Sequence, residues 1–157
     1  MADMRLVTYC GLYCGLCAQC NRIPKQAAAL RETMRREGWE FWGPEIPAFE
    51  TFWKFLSDLV EAGTRSSCRE GAGACGPSFC DIRACAQEKR VEVCPFCEEY
   101  PCARIEALAE RYVMLLADGK RMREIGLERW IAEQEDRRST GFVYADIRCT
   151  PLHVSEK

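Results

Sequence analysis

The spacing of apolar residues predicts a chain of helices rather than a sheet. A first helix is predicted over 24–37, because Pro24 is suited to a helix start and Gly38 to a helix end. Its inward positions are Ile23, Ala27, Leu30 and Met34. A second helix is predicted over 48–61, where apolar residues three or four apart share one face: Phe49, Phe52, Trp53, Leu56, Leu59 and Val60. We expect this aromatic stripe to be a buried core face.

The same pattern continues in the second half of the chain. A short helix is predicted from Asp81, which we expect to cap it, through Arg90, with Ile82 and Cys85 facing inward. A longer helix begins at Cys102 and should end at Asp118-Gly119. Residues 120–137 are helical again with an interruption at Gly126, and the tail from Gly141 is expected to be a short strand or an extended arm. The fold class is therefore mainly α, with four or five helices, Cys-rich metal-binding loops and little or no sheet.

Composition adds one unusual feature, which is twelve cysteines among 157 residues. A chain of this length can bury a core of its own, so we expect one domain over 1–157. Eleven of the cysteines fall into two groups: Cys10, Cys14, Cys17 and Cys20, and then Cys68, Cys75, Cys80, Cys85, Cys94, Cys97 and Cys102. Cys149 lies apart, near the single histidine, His153, and we expect an ordinary thiol and a surface histidine there.

Charge and hydropathy limit the partners and the location. The N-terminus has no apolar run typical of a signal peptide, and no stretch approaches the roughly 18 apolar residues of a membrane span. We therefore expect a cytoplasmic protein, in which clustered thiols bind metal or carry redox chemistry instead of forming disulfides. The formal charge of −2 argues against nucleic acid as a partner.

The cysteine spacing favours metal ligation. Two thiolates three residues apart can hold one ion, and this spacing occurs at Cys94-x2-Cys97 and twice in Cys14-x2-Cys17-x2-Cys20. Zinc is the preferred ion. An iron–sulfur cluster is the alternative, because both accept four thiolates.

Catalytic interpretations of these cysteines have less support. Cys10-x3-Cys14-x2-Cys17 has the spacing of radical S-adenosylmethionine enzymes, but the sequence does not predict the α/β barrel that they need. The run from Cys14 to Cys20 resembles the opening of a bacterial ferredoxin motif, yet no x3-Cys-Pro follows it. The single histidine offers no base for a catalytic thiol, and no phosphate loop or H-E-x-x-H motif is present. The sequence thus favours ligation over catalysis, and no catalytic residue is predicted.

Several ordered motifs together resemble a known family. They are Tyr9-Cys10-Gly11-Leu12, Cys80-x-Ile82-Arg83-x-Cys85-Ala86, and Cys94-x2-Cys97-Glu98-Glu99-Tyr100-Pro101-Cys102, followed by Ile125-Gly126-Leu127-Glu128-x-Trp130 and Gly141-Phe142-x-Tyr144. The chain resembles the small Cys-rich bacterial and archaeal proteins called domain of unknown function 3795.

The resemblance implies metal binding without an established activity. The ligands that it implies are Cys10, Cys14, Cys17, Cys68, Cys80, Cys85, Cys94, Cys97 and Cys102. The chain departs from the family in the additional Cys20, and in Arg69-Glu70-Gly71, which stands where the family tends to have a close Cys-x2-Cys pair.

Two hypotheses of function follow. In the first, zinc sites clamp the N-terminal cysteines Cys10, Cys14 and Cys17 to thiols from 68–102, and the fixed loops display Trp39–Trp42 or residues 63–80 to a protein partner. In the second, the chain holds an iron–sulfur cluster as a redox or sensor protein.

Overall fold

The structure is a computed structural model that describes residues 4–61, 68–69 and 79–147. Its α-helices in these ranges are α1 (Arg22–Arg36), α2 (Trp39–Trp42), α3 (Phe49–Glu61), α4 (Asp81–Glu88), α5 (Ala103–Ala109), α6 (Leu115–Ile125) and α7 (Leu127–Ser139). The mainly helical class is confirmed, but the expected number of four or five helices is wrong, since seven are described. In the same ranges the only β pairing is one antiparallel bridge between Val7 and Tyr13.

The chain divides into two compact units. The smaller unit is Cys17–Arg65, and the larger one combines Met1–Leu16 with Ser66–Lys157. That 1–157 forms one domain stays a prediction.

The smaller unit is built on the packing of α1 against α3. Ala27, Met34 and Leu56 are buried, and Trp39, Trp53, Leu59 and Val60 pack around them. The predicted helix bounds are close to the observed ones, but two predicted core positions are wrong. Leu30 is 48% exposed and Phe52 is 41% exposed, so only part of each apolar stripe is buried.

The larger unit has its core around Tyr13 and Trp130, which are both fully buried. Their rings meet edge to face with centroids 6.1 Å apart. The backbone N–H of Tyr13 donates to the hydroxyl of Tyr144 at 2.9 Å, and the Tyr13 hydroxyl donates to Glu135. The remaining members of this core are Val7, Leu16, Val93, Met122 and Ile131. The segment around Tyr13 therefore packs against α7 and is hydrogen-bonded to α7 and to the segment that follows it.

The helix predicted to start at Cys102 is in fact two helices. It stops after Ala109, and α6 begins at Leu115. Gly119, which was expected to end the helix, lies buried inside α6. A Cβ at this position would lie 2.0 Å from the hydroxyl oxygen of Tyr100, so the glycine serves close packing instead of helix termination.

Other local predictions have mixed outcomes. The interruption at Gly126 is confirmed, since α6 ends at Ile125 and α7 starts at Leu127. The cap position of α4 belongs to Cys80 instead of Asp81, whose carboxylate accepts the N–H of Ile82. In the described part of the tail there is a 3-10 turn, Tyr144–Asp146, where an extended arm was predicted.

Some predictions lie outside the described residues. These concern Cys75, Cys149, His153 and most of the segment 63–80. Among the described helices, none has the length and apolar character that crossing a membrane requires.

Candidate metal centre

The structure brings four predicted ligands to one cavity in the larger unit. We call Cys85, Cys94, Cys97 and Cys102 the cavity set, because all four line the same small cavity. Each is a half-buried free thiol. The cavity volume is about 30 Å³, which is the scale of a water molecule or an ion and far below that of an organic substrate site.

Local backbone structure places these four cysteines. Cys94 starts the 3-10 turn Cys94–Phe96, and Cys97 follows it as the C-cap residue, with its N–H donating to the carbonyl of Cys94 at 2.9 Å. Cys102 is the N-cap residue of α5, and its carbonyl accepts the N–H of Ile105. Cys85 lies within α4. The Cys-x2-Cys spacing therefore forms a compact turn, and two helices bring one further thiol each.

Arg123 of α6 fixes the turn between Cys94 and Cys97. Its side chain donates one hydrogen bond to the carbonyl of Pro95 and a second, at 2.7 Å, to the carbonyl of Cys97. The guanidinium carbon also lies 5.3 Å from the centre of the Tyr100 ring. A planar guanidinium with two donors is suited to this bracing, which the single ammonium of a lysine would not reproduce.

Charged side chains form the edge of the cavity. Lys89 and Glu99 make an ion pair of 2.5 Å, and Arg104 pairs with Asp81 at 3.3 Å, which links the start of α5 to the start of α4. The hydrogen bond to Glu99 raises the pKa of Lys89, and the thiols of Cys97 and Cys85 raise it further. The ammonium of Lys89 thus lies close to two of the thiols of the cavity set.

Cys94 has the most perturbed thiol of the cavity set. Burial raises its pKa to about 12, and the nearby thiols of Cys10, Cys102, Cys85 and Cys97 act in the same direction. Without a cation, thiols that are crowded and shielded from water stay protonated.

Cys10 lies in a tight loop next to Cys94. The Sγ of Cys10 is 3.0 Å from the Oγ1 of Thr8, and the carbonyl of Tyr9 accepts the N–H of Cys94 at 2.7 Å. Gly11 has φ +94°, and a Cβ on it would lie 3.1 Å from Cγ of Pro95. The Tyr-Cys-Gly motif and the Cys-Pro motif therefore pack directly on each other.

Two more cysteines approach Cys10. Burial raises the pKa of Cys10, and the charges of Cys68 and Cys80 raise it further, whereas the hydrogen bonds from Thr8 and the Leu12 backbone lower it.

The remaining described cysteines lie elsewhere in the fold. Cys14 is buried in the 3-10 turn Cys14–Leu16 of the larger unit. Cys17 and Cys20 belong to the smaller unit. That Cys14 and Cys17 share an ion with thiols from 68–102 stays a prediction, and so does a ligand role for Cys20.

The side chains as placed do not form a ready metal site. Over residues 4–61, 68–69 and 79–147, no group of three or more Cys, His, Asp or Glu residues is arranged to hold an ion. The donor chemistry of the cavity set fits a soft divalent ion, since it offers four thiols around an ion-sized space. Ligation would require the thiols to lose protons and turn toward a common centre.

Sequence reasoning missed the residues that hold the cysteines in place. Arg69, Lys89 and Arg123 bind backbone or charged groups beside the thiols. The position of Arg69 directly after Cys68 in the sequence is only a weak signal of this role. Arg123 is remote in sequence from every clustered cysteine, so nothing in its local pattern could have identified it.

The comparison with protein families assigns the chain to a class. A family model described as protein of unknown function (DUF3795) matches residues 6–107. The chain belongs to this family, and the matched range contains all eleven clustered cysteines. The motifs at 125–130 and 141–144 lie beyond that range. No curated protein and no solved structure matches the chain.

Proposed function

We propose that this protein binds zinc through the thiolates of the cavity set and that the ion has a structural role. The observation that supports this most is the convergence of the four thiols on one cavity of ionic size. Four thiolates are the usual ligands of a structural zinc ion with no open coordination position. In this proposal the ion holds the elements that carry the thiols together and has no catalytic role.

The elements that carry the thiols explain what the ion would hold together. Cys85 is on α4, Cys94 and Cys97 are on the turn, and Cys102 begins α5. These elements are short, since α4 has 8 residues and α5 has 7. Helices of this length are marginal alone. An apparent binding energy of about 10–16 kcal/mol for a structural zinc ion compares with a total stability of about 5–15 kcal/mol for a typical domain.

A single ion also suits the space better than a cluster. A four-iron cluster brings several iron and sulfide atoms, whereas the cavity is only about 30 Å³. Zinc with four thiolates carries a charge of about −2, but a four-iron cluster with four thiolates carries a similar charge, so the charges at the cavity do not separate the two. We therefore retain the iron–sulfur cluster as the alternative that the experiment must separate from zinc.

A protein partner is part of the same proposal. Of the residues Trp39–Trp42, Phe41 is 92% exposed and Trp42 is 39% exposed, whereas Trp39 packs against the core of the smaller unit. The partner surface proposed here accordingly centres on Phe41 and Trp42.

The test is metal analysis of protein purified without oxygen. We expect colourless protein with stoichiometric zinc, and we expect Cys97→Ser to lose one ion per chain and to unfold at a lower temperature. Cys149→Ser, outside the family match, is the control and should keep the wild-type metal content. Brown protein that contains iron and sulfide would show that the chain holds an iron–sulfur cluster instead of zinc. Equal metal content in wild type and Cys97→Ser would refute the site.

A further inference from the structure

We propose that the smaller unit presents an acidic surface with exposed aromatic rings to a basic amphipathic helix of a protein partner. We call it the aromatic surface and define it by its exposed rings, Phe41, Trp42, Phe52 and Phe55. This inference rests on the partner surface proposed above at Phe41 and Trp42, extends that surface along α3, and names the chemistry of the partner. It does not depend on which metal the cysteines bind.

The apolar face of α3 is wider than the part that the fold covers. Leu56 is buried in the core of the smaller unit, whereas the ring of Phe52 is exposed and that of Phe55 is 60% exposed. Phe52 and Phe55 are three residues apart in the helix, so they are neighbours on its surface. A helix that buries only part of its apolar face leaves the rest available for a second contact.

A row of aromatic rings joins α2 to α3. The ring centroids of Trp42 and Trp39 are 4.3 Å apart, and Trp39 stacks on Phe49 at 6.3 Å. Phe49 lies one turn before Phe52 in α3. At the other end of the row, the Nε1 of Trp42 donates to the carbonyl of Glu37 at 3.1 Å. The exposed indole is therefore held in place before any partner arrives, and side chains that are already fixed lose little entropy on binding.

The charge of this part of the chain limits what can bind there. Residues 39–61 contain five carboxylates and a single basic residue, Lys54, and so carry a formal charge of −4. The whole chain has a formal charge of −2, so its other residues together carry +2. Lys54 makes an ion pair with Asp58 at 2.8 Å. The negative charge of the chain is therefore concentrated in the segment that exposes the rings.

Two of these carboxylates have no cation of their own. Glu45 precedes the exposed Ile46, and Glu50 lies in the first turn of α3. Within the part of the chain that the structure describes, neither makes an ion pair. Glu40, in contrast, pairs with Arg35 at 3.3 Å. Exposed rings together with unpaired carboxylates fit a partner that combines apolar side chains with Lys or Arg, because aromatic faces attract cations as well.

The same charge disfavours other occupants of the aromatic surface. A second copy of the chain, placed symmetrically on this surface, would bring identical carboxylates face to face, which costs free energy. The phosphates of a membrane or a nucleic acid would be repelled. A basic amphipathic helix has neither problem, since its apolar face can pack on the rings while its Lys and Arg side chains approach the carboxylates.

The experiment measures the binding of a fluorescent helical peptide to the full chain by anisotropy. The peptide has leucines on one helix face and lysines on the other. One control peptide has glutamates in place of the lysines, and a second has the original residues in an order that destroys the apolar face. We expect the basic amphipathic peptide to bind at least about 10-fold more tightly than either control. Added salt should weaken its binding, because exposed charges are screened.

Variants of the rings test the apolar part of the surface. Phe41→Ala and Phe55→Ala should each lower the affinity for the basic peptide by about 10-fold or more, which is typical of aromatic residues at the centre of a contact. Val113→Ala is the control, since it shortens a 53% exposed side chain of the larger unit. Because these rings are exposed, we expect each variant to keep the helical circular dichroism and the melting temperature of the wild type.

Variants of the carboxylates test the charge. Glu45→Gln combined with Glu50→Gln should lower the affinity by about 2–10-fold and reduce its dependence on salt. Glu110→Gln combined with Glu128→Gln removes the same charge from exposed positions of the larger unit and should keep the wild-type affinity.

The outcomes separate this inference from the proposed function. If Phe41→Ala weakens binding and Phe55→Ala does not, the extension along α3 is overturned and the partner surface proposed earlier stands. No measurable binding of the basic peptide, equal affinity for the acidic one, or unchanged affinity in both ring variants would overturn the basic partner and leave the measured zinc content as it is. A dimer that Phe55→Ala dissociates in sedimentation, or binding to phosphatidylserine vesicles that Phe55→Ala abolishes, would assign the surface to a second copy or to a membrane and would also overturn the proposal.

Discussion

Replacing Gly119 by alanine tests whether the packing around the cavity is as described. In an ordinary helix interior this change stabilises by about 0.5–1 kcal/mol, because glycine costs more conformational entropy. Here the added Cβ would lie 2.0 Å from the Tyr100 hydroxyl oxygen and 2.7 Å from its Cζ. Something must move. Overpacking of this kind typically costs about 1–3 kcal/mol, so we expect a net loss of roughly 1–2 kcal/mol.

The displaced ring also gives the prediction a second readout. Tyr100 lines the cavity together with Cys97 and Cys102. Gly119→Ala should therefore weaken zinc retention as well as lower the melting temperature, by about 2–4 °C per kcal/mol for a chain of this size. Chemical unfolding of the metal-free protein measures the loss of stability, and transfer of zinc to a chelator measures the loss of zinc retention.

Two controls make the sign of the effect decisive. Ala117→Gly, at an exposed position of the same helix, gives the ordinary cost of glycine. Tyr100→Phe removes the atom closest to the new Cβ, and its own hydrogen bond to Leu115 is long, at 3.4 Å. In that background Gly119→Ala should cost less, which a double-mutant cycle quantifies. A variant as stable as wild type, with unchanged zinc retention, would refute the described packing.

Three further predictions follow from the described contacts. Arg123→Lys should lower the affinity of the cavity set for its ion by about 10–100-fold in competition with a chelator, with Arg129→Lys as the control. Arg137→Met should destabilise the fold more than Asp118→Asn, because it leaves a buried carboxylate without its ion pair of 3.2 Å; equal losses in chemical unfolding would contradict this. Burial raises the pKa of Asp118 above 3.8, against the opposing effect of Arg137. The free energy of unfolding therefore receives a contribution from Asp118 that is fully present at pH values below 3.8 and is lost as the pH rises through the raised pKa of the folded chain. Asp118→Asn should remove this part of the dependence of stability on pH.

Helices with a local signal could be predicted from sequence, and those decided by distant contacts could not. The bounds of α1 and α3 and the break at Gly126 follow from apolar spacing and from glycine. The break between α5 and α6 could not be foreseen, because the apolar spacing runs through it. The role of Gly119 depends on Tyr100, which the fold brings to that helix from outside it.

The candidate site shows the same division. Spacing alone identified the pair Cys94 and Cys97, since two thiols three residues apart are already close along the chain. The assignment of Cys85 and Cys102 to the same cavity required the positions of α4 and α5. Arg69, next to Cys68, binds the carbonyls of Val7 and Glu92, and no pattern of residue types predicts which carbonyls this side chain reaches.

The hydrogen bond from the Tyr13 backbone to the Tyr144 hydroxyl has a consequence for biosynthesis. It joins residues 131 positions apart, and a ribosome releases the N-terminal partner long before the other. While the chain is being made, Tyr13 is therefore without the core that later covers it. We expect the larger unit to complete this core only when almost the whole described chain has emerged.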